Sequence, residues 1–169
     1  ACYEASLKIY NEWEFPHEWA GTQSNLGVAY RNMPVINAKG NLGRAIECYK
    51  AALRVYTVSE CPMEWALTHI NLGVAYSSLG NEVVGAIENA VMSLQNALRV
   101  YTETEFPEQW AMVQVNLGCA HFYSATDGNP ENLSRAIHYF EAALRVFTPI
   151  DFPHHHESTI KNLANARPE

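Results

Sequence analysis

The chain has 169 residues, of which 48% are hydrophobic and 17% charged, with a formal net charge of −7. That composition supports one packed core and excludes a disordered chain, and no apolar run approaches the roughly 18 residues that a membrane-crossing helix requires. An acidic chain without clustered Lys and Arg is also a poor candidate for nucleic-acid binding, because phosphates are neutralised by grouped cations.

In chain order, the first segment is Cys2-Tyr3-Glu4-Ala5-Ser6-Leu7-Lys8-Ile9-Tyr10. It matches Cys48-Tyr49-Lys50-Ala51-Ala52-Leu53-Arg54-Val55-Tyr56, 46 positions later. The chain thus opens on the second helix of a repeat, without an initiator Met, and is expected to be a piece of a longer array. Phe15-Pro16-His17-Glu18-Trp19-Ala20 follows and runs on to Asn25-Leu26-Gly27-Val28-Ala29-Tyr30. Its relatives are Cys61-Pro62-Met63-Glu64-Trp65-Ala66 with Asn71-Leu72-Gly73, Phe106-Pro107-Glu108-Gln109-Trp110-Ala111 with Asn116-Leu117-Gly118, and Phe152-Pro153 with Asn162-Leu163-Ala164. The prolines at 16, 62, 107 and 153 are spaced by 46, 45 and 46 residues. A fixed period in this range marks a stacked repeat array. The units are a half repeat over 1–14, repeats over 15–60, 61–105 and 106–151, and a half repeat over 152–169.

Each Pro is predicted to open a first helix, A, because its missing N–H would be unpaired at that position anyway. Glu18, Glu64 and Glu108 fall in the first turn, where the helix dipole favours negative charge. The A helices are predicted over about 16–32, 62–79 and 107–124, with the last from 153 to near 168. Turn-rich linkers follow, over Met33 to Asn41, Gly80 to Glu82 and Ala125 to Pro130. The second helix, B, carries Ala45-Ile46, Tyr49, Ala52-Leu53 and Tyr56, then Ala90-Val91, Leu94, Ala97-Leu98 and Tyr101, then Ala136-Ile137, Phe140, Ala143-Leu144 and Phe147. Spacings of three and four make one apolar stripe. The expected architecture is all-α, with about eight helices.

Leu72, Gly73 and Tyr76 in helix A, and Ala90, Leu94 and Ala97 in helix B, resemble the two signatures of the tetratricopeptide repeat. The resemblance recurs along nearly the whole chain. The repeat is longer than the usual 34 residues, as in kinesin-light-chain-type repeats and in bacterial, notably cyanobacterial, arrays associated with CHAT domains. The usual helix A Trp is replaced by Gln23, His69, Gln114 and Ile160, and a Trp stands four residues earlier at 19, 65 and 110.

This resemblance implies a right-handed α-solenoid of antiparallel helix pairs with the A helices on the concave side. Leu72, Gly73 and Tyr76 are then expected to face helix B and the next repeat. The groove stripe, at helical spacing, comprises Leu67, Asn71, Val74 and Ser78. Its equivalents are Gly21, Asn25, Val28 and Asn32, then Met112, Asn116, Cys119 and Tyr123, then Ser158, Asn162 and Asn165. The residues expected to bind are Asn25, Val28, Leu67, Asn71, Val74, Met112, Asn116, Cys119 and Asn162. An Asn side chain offers two donors and an acceptor, which suits a peptide backbone, while apolar neighbours take its side chains. The same Asn ladder also fits a role in joining repeats. Arg31 and Lys161 are the only basic residues near the groove, so the carboxylate clamp of chaperone-tail binders is missing.

Other features have plainer readings. His154-His155-His156 are good ligand types for a divalent metal, but consecutive helical positions point apart. Cys119 and His121 lie two apart on one helix and should not meet as a nucleophile pair. Trp19, Trp65 and Trp110 are expected to pack neighbouring helices, and Arg54, Arg99 and Arg145, recurring with Lys8, to snorkel on the outer face. Four cysteines without a Cys-x-x-Cys pair, and no signal peptide, point to reduced thiols and a cytoplasmic setting. No phosphate loop, catalytic carboxylate pair or Ser-His-Asp set is visible. The expected function is non-catalytic: a scaffold binding a protein or peptide segment, without cofactor, metal, nucleic acid or membrane. The alternative is a structural spacer, self-associating end to end.

Overall fold

The computed structural model describes residues 2–33, 37–125 and 130–167. Among the described residues the chain forms eight α-helices: α1 Cys2–Ser6, α2 Pro16–Arg31, α3 Ala38–Ala52, α4 Pro62–Leu79, α5 Ala86–Ala97, α6 Pro107–Ser124, α7 Pro130–Leu144 and α8 Pro153–Ala166. A 3-10 turn over Gly80–Glu82 lies between α4 and α5. Helices A are α2, α4, α6 and α8; helices B are α1, α3, α5 and α7. Each helix packs on its neighbours in sequence. Beyond these neighbours, the contacts between α-helices among the described residues join successive A helices, α2 to α4, α4 to α6 and α6 to α8. The backbones of successive B helices stay farther apart among the described residues. The A helices therefore form the closely spaced row and the B helices splay apart, as in an all-α helical repeat array.

The A helices start where Pro occupies the first turn. The residues before them, Phe15, Cys61, Phe106 and Phe152, share nearly one backbone geometry, with φ of −135°, −136°, −138° and −135°. A side-chain-capped turn sets each approach. The hydroxyls of Thr57, Thr102 and Thr148 accept the N–H of Glu60, Glu105 and Asp151 at 3.2, 3.2 and 3.0 Å. The Asn11 carbonyl oxygen accepts from Glu14 at 2.9 Å in the same register. Such side-chain bonds specify a turn locally.

Close helix approach explains the Leu-Gly step. A Cβ built on Gly27, Gly73 or Gly118 would lie 2.6 Å from Tyr49, 2.7 Å from Leu94 or 2.5 Å from Phe140. These are the residues at the centre of the partnering B stripe, so only glycine admits them. Buried alanines add to this close packing: Ala20, Ala52, Ala66 and Ala97 belong to the main core cluster, and Ala111 and Ala143 to the cluster of Phe147.

Three expectations are refined. The first helix is short, ending at Ser6 and followed by turns. The first linker gives way to helix at Ala38, and Pro130 opens α7 rather than closing a linker; the remainder of the first and third linkers, 34–36 and 126–129, lies outside the described residues. Leu72 and Tyr76 join the cluster of Ala45, Ile46 and Tyr49 on the B helix of the preceding repeat.

Candidate functional site

Three cavities follow one another along the row of A helices. The first, about 380 Å³, lies between α2, α4 and α6 and is lined by Arg31, Leu67, Asn71, Val74, Met112 and Asn116. The second, about 530 Å³, lies toward the ends of α4 and α6 and is lined by Val74, Ser78, Glu82, Asn116, Cys119 and Tyr123. The third, about 80 Å³, lies between α6 and α8 and includes Cys119, Tyr123, Asn162 and Asn165. The first two share Val74 and Asn116, and the last two share Cys119 and Tyr123. The three therefore make one trough across α4, α6 and α8.

Leu67, Asn71, Val74, Met112, Asn116, Cys119 and Asn162 are brought together in this trough. Leu67 and Met112 are exposed apolar side chains beside it. Asn25 and Val28 stand apart. Asn25 is exposed outside these cavities, and Val28 packs against the cluster of Tyr49 and Leu72. The Asn residues are not equivalent either. The Asn162 amide donates to the Cys119 sulfur at 3.8 Å, tying α8 to α6. The side-chain amides of Asn71 and Asn116 make no hydrogen bond among the described residues. Burial pushes the Cys119 thiol above its ordinary pKa, so it is a neutral wall of the trough and not a thiolate.

Several lining residues were not foreseen, and two of them stand in the first cavity. Tyr101, the last position of the B stripe, lines the first cavity while its hydroxyl donates to the Met63 carbonyl at 3.3 Å. Gln109 lines the same cavity from the first turn of α6. Both belong to patterns that read as core or helix start. Charge is sparse: Arg31 lines the first cavity and Glu82 the second, and Lys161 lies outside both.

The other candidates resolve differently. Among the described residues, no group of three or more metal-ligating side chains converges. His155 stacks on Phe147 at 4.7 Å. His121 is buried and stacks on Tyr139 at 5.4 Å, away from Cys119. All four thiols are free.

The three arginines do more than snorkel. Arg54, Arg99 and Arg145 place their guanidinium groups over Trp19, Trp65 and Trp110, at 5.1, 5.2 and 5.1 Å from the ring centroids. Trp19 and Trp65 in turn belong to the main core cluster. Each arginine thus closes its own repeat, from the end of helix B onto the start of helix A, by a cation–π contact. Beside the middle pair, His69 meets Trp65 edge-on at 4.4 Å. Burial, and then the Arg99 charge, push its pKa down to about 4.

No helix of the described residues is long and apolar enough to cross a membrane. No protein-family model and no curated protein matches the chain.

Proposed function

We propose that the chain is a non-catalytic interaction module of the tetratricopeptide type, holding an extended segment of a partner protein in the trough of its A helices. One observation carries this reading. Asn71 and Asn116 line one continuous trough with Leu67, Val74 and Met112, and their amides make no hydrogen bond among the described residues. A polar group free to pair, set among apolar walls, suits a peptide whose backbone is bonded and whose side chains are covered. Near-neutral walls favour a segment bound by shape and backbone rather than by an acidic tail. Four unpaired thiols support a cytoplasmic setting.

A second reading rests on the exposed apolar side chains of Ile9, Trp13 and Ile150. They favour a spacer that associates with further copies or repeats.

The test is a peptide-display selection against the chain, repeated with the Asn71→Ala/Asn116→Ala double variant. A shared motif is expected on the parent. Its binding should fall by about 1–3 kcal/mol for each amide removed, with helicity unchanged by circular dichroism. No enriched motif, or one indifferent to both substitutions, would favour the spacer.

A further inference from the structure

We propose that Arg99 is a docking point for a carboxylate side chain of a partner protein. The repeats supply the template. Glu12 binds Arg54 through both carboxylate oxygens, at 2.8 and 2.7 Å. Glu103 binds Arg145 in the same way, at 2.9 and 3.0 Å. In both repeats the carboxylate comes from the linker entering the A helix, and the guanidinium it holds lies over that helix's Trp. Bidentate pairing of this kind is geometrically selective for a carboxylate.

The middle repeat keeps the receptor and lacks the internal ligand. Arg99 lies over Trp65 at 5.2 Å, against 5.1 Å for each of its two counterparts. In the linker sequence, however, Val58 stands where Glu12 and Glu103 stand: Tyr56-Thr57-Val58 aligns with Tyr10-Asn11-Glu12 and Tyr101-Thr102-Glu103. Arg99 is exposed and has no carboxylate partner among the described residues. Its guanidinium is held by Trp65, whose ring is itself fixed in the core. The side chain is therefore pre-ordered, which reduces the entropy lost on binding.

The source of the carboxylate follows from the surroundings. An exposed ion pair alone is weak, so a free small carboxylate would gain little. Val58 is 36% exposed. A partner surface that covers this valine while presenting Asp or Glu to Arg99 gains both contacts. This edge of the array does not depend on the trough for its role.

The test follows the side-chain Nε–Hε resonances of the three arginines by NMR in the full chain. The probe is a capped tetrapeptide containing Leu and one Glu. The Arg99 signal is expected to shift on titration, while those of Arg54 and Arg145, already bound internally, stay in place. A matched peptide with Gln for Glu should produce no shift. In Val58→Glu the Arg99 signal should move to the range of the other two and no longer respond. Equal response of all three arginines, no response at Arg99, or an unchanged response in Val58→Glu would overturn the proposal. Acetate separates the sources. It is expected to shift Arg99 less than the peptide at equal carboxylate concentration, and an equal shift would overturn assignment to a partner protein.

Discussion

A glycine in the middle of a helix costs about 1 kcal/mol relative to alanine, so its presence needs a packing reason. At Gly118 the reason is the Phe140 ring, which a Cβ would meet at 2.5 Å and which is itself fully buried. Overpacking typically costs 1–3 kcal/mol, which exceeds the propensity gain. Gly118→Ala is therefore expected to lower the unfolding free energy by about 1–2 kcal/mol in urea titration. Gly43, in α3, is the control, because nothing lies within 4 Å of its would-be Cβ. Gly43→Ala is expected to raise stability by about 0.5–1 kcal/mol; shifts of one sign in both variants would refute the packing account. His69 gives a second residue-scale expectation. Its folded pKa of about 4 lies below the unfolded value near 6.5. Between those values the unfolded chain binds the extra proton, so stability falls as pH drops through that window. The slope is at most about 1.4 kcal/mol per pH unit for one proton, and shallower for a partly solvated ring. His69→Gln, matching Gln23 and Gln114 in the sister repeats, should flatten the change in urea midpoint between pH 7 and pH 5. An unchanged profile would locate the dependence elsewhere, such as at His121, whose pKa burial also lowers.

At the scale of the element, each A helix begins in one recurring turn. The Thr102 hydroxyl accepts the Glu105 N–H, and Phe106 and Pro107 then enter the helix. Losing such a side-chain cap typically costs about 1 kcal/mol, so Thr102→Val should destabilise by roughly that amount in denaturant unfolding. No loss would show that Pro107 alone sets the start. Helix starts were legible in the sequence because Pro and an acidic first turn act over a few neighbouring residues. The B starts were less so. The Met33 to Asn41 linker reads as turn-forming, yet helix begins at Ala38, since packing of Ala45, Ile46 and Tyr49 on Leu72 and Ala75 draws the helix upstream. The role of Arg54, Arg99 and Arg145 was also missed. A recurring cation shows that a site repeats, but the Trp beneath each one is distant in the chain and comes within reach only when helices A and B pair.

In the whole molecule, each repeat touches chiefly its neighbours, so local stability should follow the number of covered faces. α1 buries no residue and α8 buries three, whereas α4 buries seven. Native-state hydrogen exchange is expected to be slowest in α4, α5 and α6, faster in α8 and fastest in α1. Uniform protection would mean that the array opens as one unit. The trough belongs to this scale as well, since no single repeat forms it: Val74 and Asn116 each serve two cavities only because α4 and α6 lie side by side.

The sequence by itself determined the period, the helical content and the A starts. All of these follow from local rules, namely capping, proline chemistry and the 3.6-residue turn, written out several times over. Only the tertiary structure decided what surrounds each side chain along the A helices. It ties Asn162 to Cys119, leaves Asn71 and Asn116 without a hydrogen-bond partner among the described residues, sets Asn25 outside the trough, and lays each arginine on its tryptophan. Such distinctions depend on side chains a full repeat or nearly so apart in the chain, which meet only after the helices stack.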